Sequence, residues 1–215
     1  MCTGRVDLAF ILRALIKGAD GVLIGGCWPG ECHYITEGNY DALGNVNLYR
    51  KLLQRIGLSP ERLRIEWIAA SEGSRFAEVM NSFVGRLREL GPLHGGAGDE
   101  ASGLATRLEA VNRLIPYIKL VEREKLRVPV KSEAAYKDFF ESNETQQLFN
   151  EILSDKLAVS QILLLLKENP LSTRAISEKL GLNPSDVSKH MNRSSMHGFV
   201  TYDTSSNCYA LALGT

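Results

Sequence analysis

Gly21-Val22-Leu23-Ile24-Gly25-Gly26-Cys27-Trp28-Pro29-Gly30-Glu31-Cys32 is the stretch on which the fold of the first half of this chain turns. A short apolar run between glycines reads as a buried strand of a parallel sheet. Upstream, residues 6–17 place Leu8, Ile11, Leu12 and Leu15 at helical spacing, with Gly18 as the stop. Downstream, residues 26–40 read as a loop rich in Gly, Pro, Cys and His. Residues 45–56 read as a helix stopped by Gly57, and residues 63–69 as a second strand carrying Ile65, Trp67 and Ile68. Residues 74–90 follow as an amphipathic helix with Phe76, Val79, Met80, Phe83 and Leu87 on one face. Helix, strand, helix, strand, helix predicts a small α/β domain with parallel strands over residues 1–92.

The 215 residues carry 25 Lys+Arg against 25 Asp+Glu. That balance excludes a bulk-basic nucleic-acid binder, an acidic tail protein and a polybasic membrane peptide. No apolar run approaches the ~18 residues that span a bilayer, and the first residues form no apolar signal region. A cytoplasmic protein with no membrane partner is the expectation. Four cysteines are too few for a disulfide scaffold, yet three of them, Cys2, Cys27 and Cys32, fall within the first 32 residues.

Past Gly91-Pro92, the run Gly95-Gly96-Ala97-Gly98 marks a boundary without periodicity. Residues 93–154 are expected to form a Gly-rich linker and helical connector. Within it residues 101–125 read as a long helix interrupted at Pro116, Val128-Pro129-Val130 as a break, and residues 133–153 as a further helix. Residues 155–215 read as a third unit. A helix over 156–168 is closed by Asn169-Pro170. Ser172-Thr173 can cap a second helix, 174–180, that Gly181 ends, and Asn183-Pro184 can start a third at about 185–196. Residues 199–202 and 208–213 form the arms of a hairpin around the turn 203–207. The order of elements is an α+β winged helix-turn-helix.

The cysteines stand at the two loops that flank the helix–strand unit 6–25. Loops at the carboxyl ends of parallel strands emerge along one edge; Cys2 would occupy that edge if a strand preceded it, and the three sulfurs could then converge despite their separation in sequence. Soft thiolates favour an iron–sulfur cluster or zinc. The C-x₄-C pair on a Gly-rich loop plus one distant Cys suits a cluster at least as well as it suits zinc, whose sites use tighter pairs. A catalytic thiol and unliganded cysteines remain open on spacing alone. His33 is a possible ligand or merely a polar surface residue.

Met1-Cys-Thr-Gly-Arg-Val-Asp, Gly21-Val-Leu-Ile-Gly-Gly-Cys-Trp-Pro-Gly-Glu-Cys-His-Tyr, Glu37-Gly-Asn-Tyr and Arg64-Ile-Glu-Trp-Ile-Ala-Ala-Ser-Glu-Gly resemble the iron–sulfur delta subunit of methyl-viologen-reducing hydrogenases. The resemblance covers about residues 1–92. It implies a [2Fe-2S] cluster with Cys2, Cys27 and Cys32 at the family's cysteine positions, and a relay between a hydrogenase or formate dehydrogenase and a flavin-containing heterodisulfide-reductase-like subunit. Cys208 matches no such position. The family pattern begins further upstream, with a first strand and a Cys-x-x-Cys pair. The expectations are therefore a sheet of only two strands, a fourth cluster ligand that is not in this chain, and either another polypeptide that supplies the missing part or a reading frame that continues upstream of Met1 through a UGA codon.

The last unit resembles winged helix-turn-helix domains of the ArsR and MarR type. Its third helix would present Ser185, Ser188, Lys189, Asn192 and Arg193 outward, where they could reach phosphates and base edges. From Asp155 onward, however, six Lys/Arg face five Asp/Glu, and the wing 201–207 has no Lys or Arg. Protein docking or dimerisation is therefore preferred to DNA binding. A redox-responsive DNA-binding regulator is the alternative to the relay, and a structural scaffold is the third class.

Of the remaining residues, Trp67 is expected in the core and Cys208 in or near it. Trp28 either shields a cluster or simply packs. Arg5 and Arg75 either meet a partner carboxylate or are solvated. Ser71-Glu72-Gly73-Ser74 reads as a helix cap. No nucleotide-binding loop and no Ser/His/Asp grouping is present, so nothing indicates substrate chemistry by this chain alone.

Overall fold

The computed structural model describes residues 2–96 and 99–212. Met1, linker residues 97–98 and Leu213 at the end of the expected hairpin lie outside them. The described residues divide into two compact units, residues up to 96 with 117–147, and residues 99–116 with 148–212.

The first unit opens on a 3₁₀ turn, Thr3–Arg5, and helix α1, Leu8–Ile16. Asp7 caps α1 by accepting a hydrogen bond from the Ala9 amide at 2.9 Å. Strand β1, Val22–Gly26, helix α2, Gly38–Arg55, strand β2, Leu63–Trp67, and helix α3, Gly73–Leu90, follow. β1 and β2 pair in parallel, Val22 opposite Leu63 through Gly26 opposite Trp67. The expected α/β alternation and two-stranded parallel sheet are therefore what the chain forms. Leu8, Ile11, Leu12 and Leu15 of α1 are buried with Val46, Tyr49, Leu52 and Leu53 of α2, with Leu63 of β2, and with Val79 and Phe83 of α3. At roughly 1.5–3 kcal/mol per large apolar side chain, this shared core holds the small sheet that could not stand alone.

Two polar anchors tie the unit together. Tyr49 Oη accepts from the Leu8 amide at 3.0 Å, satisfying an orphan donor at the start of α1. Buried Arg62 donates to the carbonyls of Asp20 at 2.9 Å, Gly91 at 3.0 Å and Leu90 at 3.3 Å, closing the C-terminus of α3. The segment after α3 is also anchored, since the Leu93 amide donates to Asp20 Oδ1 and His94 Nε2 to the Leu15 carbonyl, both at 2.7 Å.

Helix α2 begins seven residues before the helix expected at residue 45. Gly38 and Gly44 weaken its intrinsic preference by about 1 kcal/mol each, but burial of Asn39, Ala42 and Val46 overrides that weakness. Helix α4, Asp99–Lys125, runs through Pro116 where an interruption is expected. Proline costs about 3 kcal/mol in a helix interior. Burial of Leu108, Val111 and Ile115 before it, and of Ile118 and Val121 after it, outweighs that cost. The single helix expected over 133–153 is instead α5, Glu133–Glu141, then α6, Asn143–Phe149, then a π-helical turn, Asn150–Ser154. Extended Ser142 divides the first two: its hydroxyl donates to the Phe139 carbonyl and accepts from the Thr145 amide.

The second unit contains α7, Asp155–Glu168, α8, Thr173–Leu180, α9, Pro184–Met196, and the antiparallel hairpin β3, Val200–Asp203, with β4, Cys208–Leu211. Ser172 and Asn183 cap α8 and α9 as expected, and Gly181 takes φ +65° in the turn between them. Ile162, Leu166, Ile176, Val187, Met191 and Val200 form the core. Leu171 pairs with Tyr209 through both backbone bonds, adding an edge to the hairpin. Ser160 of α7 donates to the Ala110 carbonyl of α4 at 3.2 Å.

A candidate metal centre at the cysteine loop

Because β1 and β2 run in parallel, the segments after Gly26 and after Trp67 leave the sheet at the same end. Cys27 follows β1 directly. The N-terminal segment is drawn to this end by Thr3 Oγ1, which donates to the Gly25 carbonyl at 2.9 Å. Its backbone crosses the start of α2 closely: a Cβ on Gly4 would lie 2.6 Å from the Gly38 carbonyl oxygen. A Cβ on Gly38 would overlap Cys32 Sγ and lie 3.1 Å from Cys2 Sγ. Only glycine at both places allows this approach.

The structure thereby brings together the three cysteines singled out in the sequence. Cys2 Sγ and Cys32 Sγ are 3.9 Å apart, and the Cys27 and Cys32 side chains interact directly. Two thiolates on one tetrahedral metal, with metal–sulfur bonds of about 2.3 Å, stand ~3.8 Å apart. The Cys2–Cys32 spacing suits such a pair. Among the described residues no three Cys, His, Asp or Glu side chains already surround a metal-sized position. Cys27 Sγ donates to Asn39 Oδ1 at 3.5 Å.

Burial pushes the Cys32 thiol up, but the Tyr34 amide, the Cys27 and Cys2 side chains and the Asn39 amide together outweigh it and lower its pKa. Cys27 is raised, by burial and then by Cys32. Of the two loop cysteines, Cys32 is the one whose charged form is favoured, and it lies beside the N-terminus of α2, where backbone amides and the helix dipole favour a negative sulfur. A donor set of three soft sulfurs with amide donors around one of them fits an iron–sulfur group.

Trp28, between the two loop cysteines, is held rather than loosely packed. Its Nε1 donates to Glu72 Oε2 at 2.8 Å, and Arg75 lies over its ring at 4.8 Å. The Ala69 amide donates to the same Glu72 oxygen at 2.7 Å, so the turn after β2 and the cysteine loop share one carboxylate. Arg75 also donates to the Trp67 carbonyl at 3.0 Å and pairs with Glu66 at 3.5 Å. It is therefore engaged within the fold. Glu72, within the segment expected to cap the helix, occupies the N-cap position of α3 without a side-chain capping bond.

The expectations for Trp67, Phe76 and Ser188 are corrected; those for His33, Arg5 and Cys208 resolve to one of the readings the sequence left open. Trp67 is only half-buried and donates through Nε1 to Glu133. The sheet has no further strand among the described residues to cover that face. Phe76 is 53% exposed instead of lying on the core face of α3. His33 is exposed and stacks edge-on against Tyr34. Arg5 is exposed. Cys208 is half-buried in β4, with its thiol directed to the Ser206 carbonyl at 3.4 Å. In α9, Ser185, Lys189, Asn192 and Arg193 are exposed as expected, while Ser188 is half-buried. Arg193 pairs with Asp155 at 3.3 Å.

Asn39 and Gly38 escape a reading by residue type, because a Gly-Asn pair signals a turn. The available signal is that both fall in the Glu37-Gly-Asn-Tyr block of the resemblance. Also missed is a cavity of about 1050 Å³ lined by Asp7, Asp41, Tyr49, Lys119 and Glu122. There burial, Asp41 and Asp7 raise Glu122 to about 7 against the opposing pull of Lys119.

Residues 1–91 match the family model described as methyl-viologen-reducing hydrogenase, delta subunit. Residues 158–200 match that of bacterial regulatory proteins of the arsR family. An iron-sulfur subunit of the F420-non-reducing hydrogenase of Archaeoglobus profundus is 56% identical over 91 residues, which are 42% of this chain and 66% of that protein. The corresponding iron-sulfur protein of Methanopyrus kandleri is 40% identical over 92 residues, 43% of this chain and 69% of that protein. A component of the ferredoxin/F420H2-dependent CoB-CoM heterodisulfide reductase of Methanosarcina acetivorans is 50% identical over 93 residues, 43% of this chain but 12% of its own length. The chain thus spans about two thirds of these hydrogenase relatives and a small part of the reductase component. Through its first 91 residues, the chain belongs to the methyl-viologen-reducing hydrogenase delta subunit family.

Proposed function

We propose that the first unit holds an iron–sulfur cluster of the [2Fe-2S] type on Cys2, Cys27 and Cys32. In this reading it relays electrons between a hydrogenase or formate dehydrogenase and a flavin-containing heterodisulfide-reductase-like subunit. The observation that carries the proposal is the meeting of thiols from two separate stretches of chain at one end of the sheet, with Cys2 Sγ 3.9 Å from Cys32 Sγ. When bound, the cluster supplies one-electron oxidation and reduction.

The chain's residues bind, orient and shield. Of the two loop cysteines, Cys32 is the one whose thiolate its surroundings favour. Trp28, clamped by Glu72 and Arg75, fixes the loop and screens its sulfurs from water. We assign the fourth ligand to a residue outside this chain. The relatives are named as hydrogenase and heterodisulfide reductase subunits, which supports partners of those classes. Phe10, Tyr34, Ile35 and Phe76, each more than half exposed, offer apolar contacts for a protein partner. No helix among the described residues is long and apolar enough to cross a membrane, and we place the protein in the cytoplasm. The winged helix serves as a docking or dimerisation module.

The test is anaerobic purification of the full chain with its neighbours. Visible absorption that bleaches on reduction, and co-purification with a flavin-containing subunit, are expected. A colourless, iron-free complex contradicts the relay.

A second reading has its own observation, the arsR-type match of residues 158–200 together with the exposed polar face of α9. In this reading the chain is a redox-responsive DNA-binding regulator. Sequence-specific DNA binding that changes on reduction would favour it over the relay.

A further inference from the structure

Asn39 is 2% exposed and directs both ends of its side-chain amide at Cys27. Nδ2 donates to the Cys27 backbone carbonyl, and Oδ1 accepts from Cys27 Sγ at 3.5 Å. Its own backbone amide donates to the sulfur of Cys32. One residue in the first turn of α2 therefore touches both cysteines of the C-x₄-C loop. Burial leaves no water to replace these bonds. The side-chain arrangement is also selective. A carboxamide gives one donor edge and one acceptor edge, and each is matched here to a different atom of the same cysteine.

We infer that Asn39 is a positioning residue of the cysteine site, holding Cys27 by its carbonyl and, in the cluster-free protein, also by its thiol, so that the first sulfur of the loop stands beside Cys32. This rests on the cluster reading proposed above. Neither Gly38 nor Tyr40 can substitute, because the first has no side chain and the second directs its ring against Tyr136, with centroids 5.8 Å apart.

The experiment uses the full chain in two states. In the cluster-free, reduced protein, alkylation of Cys27, Cys32 and Cys208 by iodoacetamide is followed by peptide mass spectrometry. Asn39→Ala removes the acceptor of the thiol proton. Cys27 should then react faster by about fivefold, the factor of one hydrogen bond of typical net strength. Asn39→Asp keeps the shape but sets a carboxylate against the sulfur, and Cys27 should react more slowly than in the wild type. Cys208 should not change in either variant. Opposite signs distinguish positioning from general loosening, which would speed every cysteine in both.

In the second state, the protein reconstituted with iron and sulfide should show an altered visible circular dichroism spectrum in both variants. If the wild type takes up no iron, the cluster reading fails while the alkylation result still judges Asn39. Wild-type Cys27 reactivity in both variants would overturn the inference, as would a rise in all cysteines in both.

Discussion

The backbones of Gly4 and Gly38 cross so closely that a Cβ on Gly4 would lie 2.6 Å from the Gly38 carbonyl oxygen. This crossing delivers Cys2 to Cys32 across 30 residues of sequence. It is also where the site is most sensitive to small changes. Gly38→Ala places a methyl into Cys32 Sγ, with Cys2 Sγ 3.1 Å away. Overpacking costs typically about 1–3 kcal/mol. We expect the variant to lose metal uptake and to lower the urea midpoint of the first unit, both measurable on the full chain. Gly103→Ala, whose Cβ would meet nothing within 4 Å, is the control.

The Trp28–Glu72 bond separates two roles of the tryptophan. Trp28→Phe keeps an aromatic face for Arg75 but removes the Nε1 donor to Glu72. It should cost about 1 kcal/mol in chemical denaturation. Trp28→Ala also removes the ring, and should cost more and increase the rate at which oxygen bleaches the visible chromophore. Equal bleaching rates in the two variants and the wild type would show that the ring shields nothing.

Glu122 gives stability a pH dependence of defined sign. Its carboxyl is raised to about 7 from 4.5, by burial first, then by Asp41 and Asp7, with Lys119 opposing. A carboxyl raised in the folded state binds its proton more tightly there than when unfolded. Its unfavourable contribution is therefore absent below about pH 4.5, grows between the two values and is complete above about 7. Glu122→Gln should match the wild type at about pH 4 and exceed it at about pH 8, by about 1 kcal/mol once solvent screening is allowed for. Thermal melts across that range read the difference directly.

In the second unit, Met191 is fully buried among Ile162, Ile176 and Val187. Met191→Ala should destabilise the winged helix by about 2–5 kcal/mol, seen as an earlier unfolding transition. Met196→Ala, at an 87% exposed position on the same helix, should leave it unchanged.

Local signals made much of this architecture legible. Val22–Gly26 was readable as a strand because a short apolar run stands between glycines, and Leu63–Trp67 because it carries β-branched Ile65 and aromatic Trp67. Ser172, Gly181, Asn183 and Pro184 marked the ends of α8 and α9 because caps act within one turn. Where distant packing decides, local reading misses. Pro116 should end a helix, yet buried Leu108 and Val111 on one side and Ile118 on the other carry α4 through it. Gly38 and Gly44 should delay α2, yet buried Asn39, Ala42 and Val46 start it at Gly38. The three cysteines stood out by type and spacing. The residues that arrange them, Gly38, Asn39 and Glu72, are ordinary in composition and acquire their roles only through contacts with residues far along the chain.

Iron and acid-labile sulfide, measured on the anaerobically purified full chain and on Cys2→Ala, Cys27→Ala, Cys32→Ala and Cys208→Ser, test the central claim most directly. The account predicts that the wild type and Cys208→Ser carry iron and sulfide in equal amounts, and that each of the other three loses both. Iron and sulfide at wild-type levels in Cys2→Ala, Cys27→Ala and Cys32→Ala would contradict it.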